Sequence, residues 1–225
     1  ERELPRSVGE TIRYVIDVDG VSVGKIDFQI ARAGLVDGRG ATEYRSLFHL
    51  DSLVSSVVPM KGQAATIVPE RGLSPIRSMN RYTLRKNRFE EDVSFTPASV
   101  ESTRKKNGKQ KDVKRRFAEP VHDFISGFYM MRSLPKEASG CTIIFSNQRA
   151  YTFWFEYGGV ENVKTPVGMK RADRYNVRYA NERSKKELRG TIWIGEGDSR
   201  LPYRLSVNGK HRLDAHIHTY KVASR

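Results

Sequence analysis

The chain has 225 residues, 38% of them hydrophobic and 10% aromatic, which is enough to bury a sizeable core. Its single cysteine, Cys141, excludes an intrachain disulfide, and no stretch approaches the roughly 20 apolar residues of a membrane-spanning helix. The formal net charge of +14 excludes a basic partner and predicts attraction to acidic polymers and anionic surfaces.

Apolar residues at every second position predict β-strands from the start of the chain. Ile12, Tyr14, Ile16 and Val18 share one parity, and Asp19-Gly20 follows as a tight hairpin turn. The partner strand begins at Val21, and its alternation slips once near Gly24, which predicts a β-bulge there. The first two strands therefore form the clearest hairpin in the sequence.

The same period of two recurs along the chain. It predicts a strand over Thr42–Leu50, a hairpin around Lys86-Asn87, a strand over Phe153–Tyr157 before a turn at Gly158-Gly159, and three short strands near the end. The sequence therefore predicts a mainly β fold: one domain over residues 1–225, a wrapped antiparallel β-barrel-like or half-barrel sheet. Cys141 fits this fold as a small buried residue.

One segment departs from the alternation. Between Pro120 and Leu134 the apolar residues are three and four positions apart, which predicts a central helix over about residues 120–134. Pro120 suits a first helical position, and Pro135 ends the pattern. Such a helix would cover the apolar face of the sheet.

Positive charge is concentrated between Ser99 and Arg116, which we interpret as a long hairpin with an exposed basic tip at Asn107-Gly108. Its cations are the candidate anion-binding residues: Arg104, Lys105, Lys106, Lys109, Lys111, Lys114, Arg115 and Arg116. A second basic cluster is assigned to another loop: Arg183, Lys185, Lys186 and Arg189. Aromatic residues are not interleaved with these cations, which argues against a nucleic-acid stacking surface.

Five local signatures occur in order: Gly9–Tyr14, Val23–Lys25, Pro120–Arg132, Thr165–Gly168, and Ile192–Ile194 with Arg200–Tyr203. Together they resemble the domain-of-unknown-function family 3108 of exported bacterial proteins, over nearly the whole chain. The family-motif positions are Asp123, Tyr129, Arg132, Trp193 and Pro202. The resemblance implies a removed signal peptide, a periplasmic or envelope location in a Gram-negative bacterium, and a wrapped barrel-like fold. It implies no activity.

Candidate metal and acid–base residues have plainer explanations. His216 and His218 lie two residues apart with His211 upstream, but surface histidines on a strand explain the pattern equally well. Asp123, next to His122, suits a helix N-terminus or an ion pair with Arg132. The sequence therefore predicts neither a metal nor a cofactor.

Nucleophile and paired-carboxylate patterns are also weak. Ser126 lacks the glycine spacing of a nucleophile elbow. Glu90, Glu91 and Asp92 are consecutive, so a strand would turn them to alternating faces, which suits a two-carboxylate mechanism poorly. The sequence therefore predicts a protein that is not an enzyme.

Three functions remain as hypotheses. The first is a non-catalytic periplasmic protein that binds an anionic envelope component, such as a lipid headgroup, lipopolysaccharide or cell-wall glycan, through the basic hairpin. The second is a carrier or chaperone for a lipid or lipoprotein, with the helix as a lid over an apolar cavity. The third, a hydrolase acting on envelope glycans, would need Asp123 or the carboxylates of Glu90 to Asp92.

Overall fold

The computed structural model describes residues 7–51, 58–72, 74–181 and 187–223. In this part of the chain, fifteen strands and one helix follow each other. Their bounds are β1 Thr11–Val18, β2 Val21–Val36, β3 Arg39–Leu50, β4 Met60–Pro69, β5 Arg77–Leu84, β6 Asn87–Phe95, β7 Ser99–Lys106, β8 Lys109–Arg116, β9 Val121–His122, α1 Phe124–Ser133, β10 Gly140–Ser146, β11 Arg149–Thr165, β12 Gly168–Asn181, β13 Glu187–Gly195, β14 Pro202–Asn208 and β15 Arg212–Lys221.

All fifteen strands belong to one sheet, in the order β8-β7-β6-β5-β4-β3-β2-β1-β15-β14-β13-β12-β11-β10-β9. Every neighbouring pair is antiparallel except β9 and β10, which are parallel. The first and last strands pair in the middle of the sheet, where Thr11 lies opposite Lys221. This arrangement confirms the predicted mainly β fold with a single helix. Among the described residues, no helix is long and apolar enough to cross a bilayer.

The first hairpin forms as predicted. Asp19 and Gly20 both have positive φ, 51° and 83°, as a type I′ turn requires. The register shifts where Ile16 faces Gly24 and Asp17 faces Ser22, which confirms the bulge. A Cβ on Gly24 would lie 2.0 Å from the carbonyl oxygen of His49 in β3, so the close approach of the backbones requires glycine.

Two predicted turns are wrong in position. β11 continues through Gly158-Gly159 as a bulge, because Tyr157 pairs with Tyr175 and Val160 with Asp173 on either side of it. The turn between β5 and β6 is Arg85-Lys86 instead of Lys86-Asn87, since Asn87 already pairs with Leu84. In both cases pairing with a neighbouring strand outweighs the local turn signal.

The helix begins later than predicted. Residues 121–122 form β9, which pairs in parallel with Ile143 and Ile144 of β10, so the helix starts at Phe124 instead of Pro120. Asp123 is the N-cap: its carboxylate accepts the Ser126 backbone N–H at 2.7 Å, and the Ser126 Oγ accepts the Asp123 N–H at 3.0 Å. This reciprocal capping box fixes the start of α1.

The helix packs on one face of the sheet, which we call the inner face. One buried cluster joins α1 to β1–β4 through Ile125 and Tyr129, and a second joins Met130 and Met131 to β11–β13. A third contains residues from both ends of the sheet: Val93, Phe95, Val100, Val121 and Phe145. Residues at opposite ends of the strand order are thus in contact, so the sheet wraps around the helix.

A polar clasp also connects the two ends of the sheet. The buried Glu91 carboxylate of β6 accepts the backbone N–H groups of Gln148 at 2.9 Å and Asn147 at 3.2 Å, in the turn between β10 and β11. It also accepts the Ser102 hydroxyl at 3.0 Å. The Gln148 side-chain amide donates to the Lys111 carbonyl of β8 at 2.8 Å. Side chains therefore hold the wrapped sheet together at this point.

Candidate anion-binding site

The basic segment forms the predicted hairpin. β7 and β8 pair over their whole length around Asn107 and Gly108, whose positive φ angles of 48° and 83° suit a two-residue turn. β8 is an edge strand of the sheet. We call residues 99–116 the basic hairpin.

The predicted anion-binding residues divide between the two faces of the basic hairpin. Six of the eight are exposed: Lys105, Lys106, Lys109, Lys111, Lys114 and Arg116; Arg104 and Arg115 are half-buried. The register places Arg104 and Lys106 opposite Glu91 and Phe89, so these two cations lie on the inner face. Lys105 has the other parity and lies on the outer face.

Across the basic hairpin, like charges are opposite each other on the inner face. Lys106 faces Lys109, and Arg104 faces Lys111. Like charges in directly opposite positions of an antiparallel pair destabilise it. Three lysines and Arg104 are thus held near one another, and Arg104 has the buried Glu91 carboxylate opposite it on the β6 side.

Aromatic rings hold the cations next to β6. The Arg104 guanidinium carbon lies 4.6 Å from the centre of the Phe89 ring, and its Nη2 donates to the Tyr82 hydroxyl at 3.1 Å. The Lys106 Nζ lies 5.8 Å from the same ring. These cation–π contacts position two of the four inner-face charges without neutralising them.

The acidic residues of the basic hairpin lie on its outer face. Glu101 binds Lys114 at 2.5 Å. Asp112 accepts hydrogen bonds from Thr103 at 2.7 Å and from Gln110, and these bonds hold the pKa of Asp112 below its ordinary value. Neither carboxylate offsets the inner-face cations.

The second predicted basic cluster lies only partly within the described residues. Arg183, Lys185 and Lys186 lie outside the described residues. Arg189 lies in β13 instead of a loop, and its Nε is 2.8 Å from the Glu187 carboxylate. It is therefore part of an ion pair on a strand.

Arg132 is buried and pairs with Glu10, so of the two explanations for Asp123 the helix N-terminus is confirmed and the ion pair with Arg132 is wrong. Its guanidinium binds both Glu10 carboxylate oxygens, at 2.5 and 3.0 Å, and donates to the Ser199 carbonyl at 2.8 Å. Burial alone would lower the pKa of Arg132, but the hydrogen bonds and charge of Glu10 raise it. This pair joins the end of α1 to the start of β1 and to the loop before β14.

Asp123 is enclosed beneath the helix. Besides capping α1, its carboxylate accepts a hydrogen bond from the Thr66 hydroxyl of β4. Burial raises the pKa of Asp123 although Thr66, Ser126 and Ser78 stabilise its charge. With 6% of its surface exposed, the carboxylate serves the helix start and has little access to a substrate.

The other family-motif residues also support the framework. Tyr129 packs on Tyr44 with ring centres 4.4 Å apart, and the Pro202 carbonyl accepts the Tyr14 hydroxyl at 2.7 Å. Trp193 donates from Nε1 to Glu161 at 2.7 Å. All five motif positions therefore fix α1 and the strands around it.

The remaining candidates are dispersed. His211 lies 2.6 Å from Asp19, His216 lies 3.4 Å from Asp17, and His218 is exposed. The described ranges contain no group of three or more His, Cys, Asp or Glu residues placed to hold a metal. Cys141 is exposed instead of buried: it lies near the start of β10, although Phe145 of the same strand is buried.

The consecutive carboxylates of β6 lie on alternating faces of the sheet, as predicted. Glu91 is 1% exposed and belongs to the clasp, whereas Glu90 and Asp92 lie on the outer face near Arg81. They form no paired-carboxylate site in this structure.

Sequence reasoning missed several buried charges. Glu10 has the inward parity of Ile12, and Glu91 has that of Phe89 and Val93, so alternation could have identified both. Asp173 likewise has the inward parity of Tyr175 and Val177, whereas its partner Arg200 lies in a loop with positive φ and carries no such signal.

Fold and site together define a class: a mainly β protein whose sheet wraps around one helix and ends in a basic hairpin. The chain belongs to the family described as a protein of unknown function, DUF3108, whose sequence pattern matches residues 12–210. This confirms the resemblance inferred from the motifs. No curated protein matches the chain.

Solved structures support the fold. A β-barrel-like protein of the DUF1849 domain of unknown function, from Brucella abortus, has a TM-score of 0.66 at 10% identity over 100% of both chains. A protein of Parabacteroides distasonis provisionally described as a lipoprotein has a TM-score of 0.44 at 12% identity, over 98% of both chains. A Bacteroides fragilis protein with a YmcC-like fold, provisionally described as exported, scores 0.42 at 9% identity, over 98% of this chain and 99% of its own. Only the Brucella protein is similar enough to support the fold.

Proposed function

We propose that the protein is a non-catalytic periplasmic component of a Gram-negative envelope that binds an anionic partner through the basic hairpin. The partner chemistry is a phosphate-bearing headgroup of a phospholipid or of lipopolysaccharide. The observation that carries the proposal is the pair of cation–cation positions, Lys106 with Lys109 and Arg104 with Lys111. A phosphate placed between Lys106 and Lys109 converts their repulsion into favourable contacts, with Lys111 two residues further along β8.

Edge protection is the competing explanation for these charges. Lysines on an edge strand prevent another chain from pairing with it, and β8 is such a strand. Charge of either sign would serve that purpose, however, and an acidic residue opposite each cation would also stabilise the basic hairpin. The like-charged pairs therefore favour a ligand.

The hydrolase alternative is not the function we propose. Asp123 is enclosed. The Glu91 carboxylate makes the hydrogen bonds of the clasp, and it lies on the opposite face of β6 from Glu90 and Asp92. The carrier alternative is favoured by partly exposed aromatic side chains on the inner face, those of Phe48 and Tyr82.

Vesicle binding tests the proposal. We expect the full chain to co-sediment with phosphatidylglycerol vesicles and not with phosphatidylcholine vesicles, and to dissociate as salt is raised. The variant K106Q/K109Q/K111Q should lose about 3 kcal/mol of binding free energy, on the order of a hundredfold in affinity.

The matched control removes three exposed lysines far from the basic hairpin, in K164Q/K170Q/K210Q. Both variants change the net charge by the same amount, so they differ only in where the charge is lost. Equal binding to the two vesicle types, or equal loss in the two variants, would show that the basic hairpin is not the binding site.

A further inference from the structure

An exposed aromatic side chain lies beside the inner face of the sheet. Phe124, the first residue of α1, is 56% exposed although its ring centre is only 6.0 Å from that of the buried Phe28. Phe28 is stacked on Phe128 of the same helix, with ring centres 4.0 Å apart. Solvent therefore reaches an apolar surface between the start of the helix and β2.

An uninterrupted row of inner-face residues leads from this point to the basic hairpin. The strand register places the following residues directly opposite one another, from β2 to β8: Ile26, Phe48, Gly62, Tyr82, Phe89, Lys106 and Lys109. We call this the aromatic row. The ring centres of Phe48 and Tyr82 are 6.5 Å apart, and those of Tyr82 and Phe89 are 4.9 Å apart and stacked.

The adjacent row has small side chains in the middle of the sheet. Ser46, Ala64 and Asn80 lie opposite one another there, next to Phe48 and Tyr82. Ala64, Asn80, Phe48 and Tyr82 all remain partly exposed. These small side chains leave the rings of Phe48 and Tyr82 partly accessible from the inner face.

The close approach of β4 and β5 in the aromatic row requires glycine at position 62. A Cβ on Gly62 would lie 2.5 Å from the Cβ of Tyr82, so any larger residue would displace the tyrosine. The Tyr82 hydroxyl is also held at 2.5 Å by the Asn147 side chain, next to the clasp. These contacts and the stacking on Phe89 fix the position of the Tyr82 ring.

We propose that the inner face between α1 and the basic hairpin binds one long-chain anionic amphiphile, with its acyl chain on Phe124, Phe48 and Tyr82. The distance from β2 to β7 is five strand spacings, roughly 24 Å, which matches an extended long acyl chain. This proposal rests on the proposed function, because it places the anionic headgroup on the same inner-face cations.

The charged end of the row fits such a headgroup. Lys106 and Lys109 are opposite each other at the end of the apolar surface and are both exposed. Behind them, the buried Nε of Arg104 has no hydrogen-bond partner among the described residues. A phosphate or carboxylate at this end would bridge the two lysines.

Calorimetry with monomeric lipids tests the proposal. The probes are lysophosphatidylglycerol and lysophosphatidylcholine, below their micelle-forming concentrations, titrated into the full chain. We expect both to bind, and the anionic lipid to bind more tightly. The variant F124S should weaken both lipids about tenfold, since Phe124 supplies apolar contact. K106Q/K109Q should weaken only the anionic lipid.

The matched control is L47S, because Leu47 is 54% exposed but lies on the outer face of β3. It should bind both lipids like the unmodified chain. Thermal melting of each variant verifies that it is folded. Absence of monomer binding, or equal affinities of F124S and the unmodified chain, would overturn the proposal.

The two proposals can fail separately. If vesicles bind through the basic hairpin but monomeric lipids do not bind, the headgroup function stands and the acyl-chain site is wrong. If neither probe binds, both are wrong. If F124S weakens monomers but leaves vesicle binding unchanged, both proposals are supported.

Discussion

Charged side chains are paired with opposite charges around α1 but lie opposite like charges in the basic hairpin. Around the helix, each buried guanidinium meets a carboxylate: Arg132 meets Glu10, and Arg200 meets Asp173. On the basic hairpin, Lys106 instead faces Lys109. Paired charges inside the sheet fix the position of the helix, whereas the unneutralised charges at the edge cost stability. The comparison indicates that the edge charges serve a function other than stabilising the fold.

Breaking a buried ion pair should have the largest effect. In E10Q or R132M, the remaining partner is left buried without its counter-charge, so we expect a loss of about 3–5 kcal/mol in the free energy of unfolding. The double variant E10Q/R132M should recover much of this loss, because neither charge then remains buried. Urea unfolding of all three variants gives the values.

The control for this prediction is R13M, because Arg13 pairs with Asp27 in a half-exposed position on the outer face. It should cost no more than about 1 kcal/mol. Losses of similar size in R132M and R13M would contradict the contrast between interior and surface charge.

Removing the helix cap should have an intermediate effect. D123A loses the side chain that accepts the Ser126 N–H, which should cost about 1 kcal/mol. D123N keeps an acceptor oxygen and should cost less. Urea unfolding of both variants separates capping from charge.

The same residue predicts a pH dependence. Burial raises the pKa of Asp123 above its unfolded value, so the unmodified chain loses this contribution to stability as pH rises through the folded pKa. The stability of D123N relative to the unmodified chain should therefore improve as pH rises above about 4, the ordinary pKa of an aspartate. A difference that moves the other way would mean that the folded carboxylate favours its ionised form.

Neutralising the basic hairpin should have the smallest effect on stability. K106Q/K109Q/K111Q removes repulsion and no described ion pair, so its free energy of unfolding should stay within about 0.5 kcal/mol of the unmodified chain, or rise slightly. Urea unfolding gives the free energy of unfolding of this variant, and vesicle binding of the same preparation gives its affinity. A stability loss above about 2 kcal/mol would show that these lysines support the fold.

Local patterns predicted much of the fold. Alternation gave the strands, and the parity of Ile12, Phe89 and Val93 identifies the inner face on which the basic hairpin also has its like-charged pairs. The helix start was wrong because β9 pairs with β10, about twenty residues further on, and such pairing leaves no local signal. The partner of Arg132 was wrong for the same reason, since Glu10 is distant in sequence.

The aromatic row illustrates why the candidate site was harder to predict than the fold. Phe48, Tyr82 and Phe89 are ordinary strand residues in the sequence, and only the strand register brings them into line with Lys106. The basic hairpin, by contrast, is a local run of charge and was predicted in full. A site assembled across seven strands cannot be derived from the spacing within any one of them.

Because β1 pairs with β15, the first and last strands are neighbours in the middle of the sheet, and β8 and β9 are its two edges. Read from β9 through β15 and then from β1 to β8, neighbouring strands follow each other in order, and only β9 and β10 are joined by a crossover, through α1. β1 and β15 must therefore come together to complete the middle of the sheet, and contacts between segments so distant in sequence form slowly. A circularly permuted chain that opens between β8 and β9 would be an antiparallel meander from β10 onward, and the parallel pair of β9 and β10, joined by α1, would be its one crossover.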